Sequence, residues 1–332
     1  MAMAYIKALS LPTSKMAAKH DHNIAIIGSG IIGRNWTMVF ASGGCNVNIF
    51  DSDENQIQSA LVAVKETLEQ YEKDGILKGS DSAADQIARI RGCSTVKDCV
   101  SDATFVMECV PERLHIKRSV LSQIDLYVKD DDVIMASSSS SIFPSVLSEG
   151  MQHKRQIIVT HPLNPPYFLP FVEVVPAPWT DKDITERVCQ ILTNVGMTPA
   201  VLKKETKGFL ICRVQHAITA ECFKLVRDGV VTPGDIDKLM PDGLGRRYAF
   251  LGALEASYLN ANGMKDFCER YGDNIYELQQ DFGPPVKLEG APLEIIEADI
   301  GKRIPLDQIQ EKRDWRDKRL AELDKFINKT KK

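Results

Sequence analysis

The sequence predicts an α/β chain: a doubly wound, parallel sheet followed by an all-α C-terminal domain. Three observations carry that reading. Short apolar runs alternate with segments of helical apolar spacing as far as about Val201. The first run, residues 24–27, leads straight into Gly28, Gly30 and Gly33 and then into a helical segment reaching Ala41. Beyond about Val201 the strand signals fade, and helical patterns broken at Gly229, Pro233, Pro241, Gly263, Pro284 and Pro285 take over.

Each element has its own justification. Ile24-Ala25-Ile26-Ile27 is continuously apolar, as a strand covered on both faces must be. Val47-Asn48-Ile49-Phe50 reads as a second strand ending in Asp51. Asp53 and Glu54 then place acids at the start of a long helix running toward Asp74, where the helix dipole favours negative charge. Further strands are expected at 104–108, 133–136, 157–160 and 171–175, with helical patterns between them. In the last stretch, 314–332, Trp315, Leu320, Leu323 and Phe326 fall on one side of a charged helix that suits a domain cap or a contact with a partner chain.

Composition excludes several classes of function. The chain has 332 residues, 44% of them hydrophobic and 26% charged, the make-up of an ordinary globular protein with room for about two domains. A net charge of −4 lacks the basic excess of a nucleic-acid-binding surface. No apolar run reaches the roughly 18 residues of a membrane span. The eight cysteines contain no C-x-x-C pair, which argues against a zinc site or a disulfide framework and for a reducing, cytoplasmic setting. His216 lies four residues after Cys212 on an expected helix, and two ligands are too few for a metal, so the pair reads as packing. Residues 1–21, with Lys7, Lys15 and Lys19, read as a flexible extension in preference to a transit peptide.

The glycine cluster points to a dinucleotide. Gly28 permits the tight turn, Gly30 lets the backbone approach a pyrophosphate, Gly33 lets helix pack on strand, and Ile31 and Ile32 fill the first helical turn between them. Asp51, 23 residues after Gly28 at the end of the next strand, can accept the ribose hydroxyls of NAD and would repel the 2′-phosphate of NADP. The expected layout is a Rossmann-like NAD-binding domain over 22–205 and a helical domain for substrate and dimerisation over 206–332.

Several further motifs occur in a recognisable order. They are the serines 137–141, His161-Pro162-Leu163-Asn164-Pro165-Pro166 and Glu173-Val174-Val175-Pro176. Glu108-Cys109-Val110-Pro111-Glu112 followed by Lys117, the Lys207-Gly208-Phe209 turn, and Gly243-Leu244-Gly245-Arg246-Arg247 with Leu259-Asn260-Ala261 complete the set. In these motifs the chain resembles the 3-hydroxyacyl-CoA dehydrogenase superfamily, and within it the lambda-crystallin and L-gulonate 3-dehydrogenase branch. The resemblance implies NAD-dependent oxidation of a small hydroxy acid, L-gulonate foremost, by a homodimer; a CoA ester or a catalytically weak, crystallin-like role are the alternatives.

Oxidising a secondary alcohol by hydride transfer leaves a proton behind, and a histidine suits its uptake. His161 is therefore the expected general base, oriented by Glu173 twelve residues on. By the resemblance, Ser140 holds the substrate oxygen, although its place among five consecutive serines leaves the exact position open. Glu108 and Lys117 correspond to residues near the nicotinamide, with a strand-end glutamate and a solvated helix lysine as the alternative reading. Arg247 offers a planar fork to a substrate carboxylate, with a surface salt bridge as the alternative and Arg246 as competitor. One position departs from the family pattern G-F-x-x-N-R: this chain has Gly208-Phe209-Leu210-Ile211-Cys212-Arg213. A thiol cannot reproduce the paired donor and acceptor of the amide that family members use beside the histidine, so Cys212 puts turnover in question while leaving folding and NAD binding untouched.

Overall fold

A computed structural model of the chain describes residues 22–128 and 132–330. The N-terminal extension expected over 1–21 lies outside the described residues. The chain divides into two compact units, one ending at Cys212 and one beginning at Arg213.

The first unit is built on β1 (Asn23–Ile27), α1 (Ile31–Ser42), β2 (Asn46–Phe50), α2 (Glu54–Lys73), α3 (Ala83–Ala88), β3 (Ile90–Gly92), α4 (Val96–Val100) and β4 (Phe105–Glu108). It continues through α5 (Leu114–Tyr127), β5 (Ile134–Ser137), α6 (Pro144–Ser148), β6 (Ile157–Pro162), β7 (Phe171–Pro176), α7 (Lys182–Asn194) and β8 (Thr198–Val201). The strands form one sheet in the order β3-β2-β1-β4-β5-β6-β7-β8. The order reverses beside β1, so the C-terminal ends of β1 and β4 flank the crevice where doubly wound sheets bind ligands. Ile24, Ile26, Val47, Phe105, Val106, Met135, Ile158 and Val174 are fully buried, as strands covered on both faces require.

The helix starts follow the charge pattern. Asp53 caps α2 by accepting a 2.9 Å hydrogen bond from the Asn55 N–H, and Glu54 occupies the first turn. The sheet departs from the expected all-parallel arrangement at one place: β7 runs antiparallel to β6. Residues 163–170, which join them, include Pro165, Pro166 and Pro170, and are too few for the crossover that parallel neighbours need. Two short strands, β3 and β8, were not expected. Each pairs along one side only, and neither carries a long apolar run.

The second unit contains most of α8 (Ile211–Arg227), then α9 (Pro233–Leu239), α10 (Gly245–Tyr248), α11 (Ala253–Leu259), α12 (Met264–Asp281), α13 (Ala291–Arg303) and α14 (Ile309–Thr330). Leu254, Tyr276, Leu259, Trp315 and Phe326 remain more than half exposed on this unit. No described helix is long and apolar enough to cross a membrane.

Candidate active site

The glycine turn between β1 and α1 has three distinct steric requirements. Gly28 has φ 105°, and a Cβ there would sit 2.8 Å from the Cys109 carbonyl carbon. A Cβ on Gly33 would meet the Gly28 carbonyl oxygen at 1.9 Å. Gly30 faces open space, with nothing within 4 Å of its would-be Cβ. The N-terminus of α1 has no side-chain cap, so the backbone N–H groups of its first turn, at Ile31, Ile32 and Gly33, are available to an anion. A cradle that is open only at the central glycine and ends on uncapped donors fits a pyrophosphate.

Asp51 stands at the end of β2 beside this turn. Its Oδ2 accepts both the N–H and the hydroxyl of Ser29, each at 2.8 Å. Its Oδ1 has one long bond, 3.3 Å, from the Asp53 N–H, and so retains capacity for a ribose hydroxyl. Ser29 escaped the sequence reading because the glycine pattern leaves that position unspecified. Ser29 is buried, and its two bonds place it directly on the Asp51 carboxylate.

Behind the turn lies a buried charge cluster. The Lys117 ammonium donates to Glu108 Oε1 at 2.9 Å, Glu108 Oε2 at 3.2 Å and the Val110 carbonyl at 3.1 Å. Glu108 is 0% and Lys117 1% exposed, which overturns the solvated-lysine alternative. Glu108 Oε1 also accepts the Val110 N–H at 2.7 Å, so the pair fixes the Glu108–Val110 backbone against which Gly28 packs. Burial pushes the Glu108 carboxyl up, against the opposing pull of Lys117, Ser137 and the Val110 N–H.

Glu112 links this cluster to the serines. Its Oε2 lies 3.4 Å from Lys117 Nζ. Its Oε1 accepts from Ser139 Oγ at 2.7 Å, the Ser140 and Ser141 N–H groups at 2.9 and 3.1 Å, and the Ser140 and Ser141 hydroxyls at 3.3 and 3.1 Å. Burial opposes the Glu112 charge, but Ser139, Lys117 and Ser141 outweigh it and hold the carboxyl below its ordinary value. The five serines are thereby sorted. Ser137 donates to Glu108 Oε2 at 2.5 Å, Ser138 accepts from Trp36 Nε1 at 3.0 Å, and Ser139 is buried under Glu112. Ser140 is half-buried, with its carbonyl 3.7 Å from Cys212 Sγ. Glu112 carried a recognisable sequence signal, since a loop of five hydroxyls requires an acceptor, yet it was not singled out.

His161 and Glu173 are direct partners in the β6–β7 register. The twelve-residue spacing thus becomes a cross-strand pair, with His161 Nδ1 2.6 Å from Glu173 Oε1. Glu173 is fully buried, and its Oε2 accepts the Leu210 and Ile211 N–H groups at 2.7 and 2.9 Å. A carboxylate can only accept here, so the bond assigns the proton to Nδ1 and leaves Nε2 as a base. Cys212, one residue beyond, has its thiol pushed up by burial and by the charges of Glu173 and Glu112, which keeps it neutral. The first unit thus brings His161, Glu173, Ser140 and Cys212 into one connected network. Arg247 lies on α10 of the second unit, its guanidinium 5.8 Å from the Tyr248 ring centre. Arg246 is bound to Asp242 at 2.7 Å and to the Pro241 carbonyl at 2.8 Å, so Arg247 is the freer of the two. Among the described residues no group of three or more His, Cys, Asp or Glu side chains could hold a metal.

Residues 23–206 match the NAD-binding domain of 3-hydroxyacyl-CoA dehydrogenase, and residues 208–285 match the C-terminal domain of the same family. The chain belongs to the 3-hydroxyacyl-CoA dehydrogenase family. NAD is accordingly its cofactor. Among this family member's relatives is the lambda-crystallin homolog of Bos taurus, 43% identical over 305 residues that span 90% of this chain and 95% of the relative. L-carnitine dehydrogenase of Oceanobacillus iheyensis is 33% identical, covering 82% of this chain and 83% of its own. Of solved structures, 5-formyl-3-hydroxy-2-methylpyridine 4-carboxylic acid 5-dehydrogenase superposes with a TM-score of 0.78 at 24% identity over 93% of this chain and 99% of that one, a likeness of fold. The (S)-3-hydroxybutyryl-CoA dehydrogenase of Ralstonia eutropha has a TM-score of 0.62 at 26% identity, covering 67% of this chain and 77% of that one.

Proposed function

We propose that this NAD-dependent dehydrogenase oxidises the 3-hydroxyl of a small free hydroxy acid, with L-gulonate to 3-dehydro-L-gulonate as the reaction. The observation that carries it is the 2.6 Å bond between His161 Nδ1 and a buried Glu173. Gly28, Gly30, Gly33 and Asp51 would hold NAD, which would supply the acceptor for the carbinol hydride. His161 Nε2 takes the hydroxyl proton, and Glu173 stabilises the resulting imidazolium, so the products are a ketone, a reduced cofactor and a protonated histidine. Ser140 holds the substrate oxygen, and a planar guanidinium such as that of Arg247 suits a carboxylate.

One relative supports a free acid over a thioester: carnitine, named for the Oceanobacillus enzyme, is itself a 3-hydroxy acid without a CoA group. We extend the proposal to a homodimer, because Leu254, Tyr276, Leu259 and Phe326 of the second unit form the apolar load that a second copy would bury. The cysteines, all free, fit a reducing cytoplasm.

NADH production with L-gulonate, 3-hydroxybutyrate and 3-hydroxybutyryl-CoA tests the proposal. Turnover on L-gulonate supports it, and turnover on the CoA ester alone replaces it with the thioester activity. One observation favours a second reading: Cys212 stands where the family uses an amide, which suits a catalytically weak, crystallin-like protein that binds NAD. Tight NADH binding without turnover on all three substrates selects that reading.

A further inference from the structure

Among the described residues, Phe209 is the one non-glycine residue with left-handed backbone, at φ 46°. Side chains with a Cβ disfavour this region by about 5- to 30-fold in population, or about 1 to 2 kcal/mol at about 1.36 kcal/mol per tenfold. Strong packing counteracts that preference here. The Phe209 ring is fully buried, belongs to the apolar cluster that includes Val159 and Val175, and lies 6.2 Å from the Phe143 ring centre. Its N–H donates to the Thr206 carbonyl at 3.0 Å.

The consequence appears in the next two residues. Gly208 is also left-handed, at φ 77°, and the two successive positive-φ residues turn the chain into α8. The following N–H groups, of Leu210 and Ile211, then converge on Glu173 Oε2 at 2.7 and 2.9 Å. Adjacent N–H groups pointing the same way form an anion-binding concavity, and the first turn of a helix adds its dipole. The anion in this concavity is the fully buried side chain whose other oxygen faces His161.

We propose that Phe209 is a positioning residue for the His161–Glu173 pair. Its buried ring locks the left-handed backbone, the backbone aims two donors at Glu173 Oε2, and Oε1 is thereby held toward His161. The inference rests on the reading of His161 as base and Glu173 as its orienter, but its structural part is measurable without turnover.

Two truncations separate backbone from packing. Phe209→Gly and Phe209→Ala both remove the ring, yet only glycine enters the left-handed region freely. The proposal expects Phe209→Gly to exceed Phe209→Ala by about 5- to 30-fold in kcat, with NADH binding equal in both. A purely structural role leaves kcat per NADH-binding molecule equal in the two variants, because the φ preference then acts on folding alone. A second readout needs no substrate. The His161 Nδ1 proton, held by a short bond to a carboxylate, is expected to give a low-field proton resonance in the wild type, assigned by its loss in His161→Ala. It should persist in Phe209→Gly and disappear in Phe209→Ala. Equal behaviour of the two variants in either readout, or the reverse order, overturns the proposal. Should both truncations lose NADH binding, Gly208→Ala decides: it keeps the ring and strains the same turn, so retention of the resonance overturns the proposal and its loss supports it. A wild type that shows the resonance but oxidises no hydroxy acid refutes the proposed function and leaves the resonance test of Phe209 intact.

Discussion

Replacing Cys212 by asparagine restores the one group in which this chain departs from the family pattern. In the native site the thiol is held neutral, first by burial and then by Glu173 and Glu112. Its single weak donor is directed at the Ser140 carbonyl, 3.7 Å away, so it offers nothing further to a substrate oxygen. An amide carries two N–H donors and one acceptor. One N–H can replace the thiol on the Ser140 carbonyl, and the other remains for the substrate. A preorganised donor of this kind is worth about 10² to 10³ in turnover. The gain at the lower end, about 10²-fold, corresponds to about 2.7 kcal/mol of transition-state stabilisation. The assay is kcat/KM for NADH formation from L-gulonate at saturating NAD, with NADH affinity measured on the same samples. NADH affinity should not change, because the glycine cradle and Asp51 make no use of residue 212. If Cys212→Asn binds NADH normally and its kcat/KM stays within threefold of the native value, the thiol is not what limits the site.

Three other perturbations address separate parts of the structure. His161→Ala should abolish most of the rate of alcohol oxidation while NADH binding is retained; a variant that keeps the native rate excludes His161 as the base. Lys117→Met leaves Glu108 buried without its cation and should cost about 3 to 5 kcal/mol of stability, measurable by denaturant unfolding, whereas the double change with Glu108→Leu should recover most of it. An unstable double variant would show that the ion pair is not the source of the loss. Glu112 has its carboxyl held below the ordinary value of 4.5, so its contribution to stability is present above that value and lost as pH falls through the lower, folded one. Fluorescence of Trp36, which donates to Ser138 Oγ at 3.0 Å, should report acid loosening of the serine loop in the native protein, and Glu112→Gln should remove that pH step; an unaltered step assigns it to another group.

What the sequence disclosed depended on whether a feature is local. The glycine turn was legible because each of its requirements falls within six residues: the positive φ of Gly28, the open face of Gly30 and the helix contact of Gly33. Asp51 was legible because a strand end is a fixed place. Its clamp by Ser29 was not, since the motif leaves that residue free. Lys117 was placed wrongly in one of its two readings because a lone lysine on a helix is ordinarily solvated, and only the tertiary fold reveals Glu108 and the Val110 carbonyl gathered around it.

The dyad lies between these extremes. A spacing of twelve residues says nothing in itself about contact. It becomes a contact because residues 163–170 carry three prolines and cannot form a crossover helix, so β7 must return antiparallel to β6. Once it does, register decides everything. His161 faces Glu173, and a shift of one residue would place the glutamate on the opposite side of the sheet. That register is held from beyond the hairpin: Glu173 Oε2 is bound by the first N–H groups of α8, so the strand cannot slide without breaking both bonds. The departure from an all-parallel sheet is therefore the feature that brings His161 and Glu173 together. The left-handed turn at Phe209 is what fastens that pair to the helix leading into the second unit.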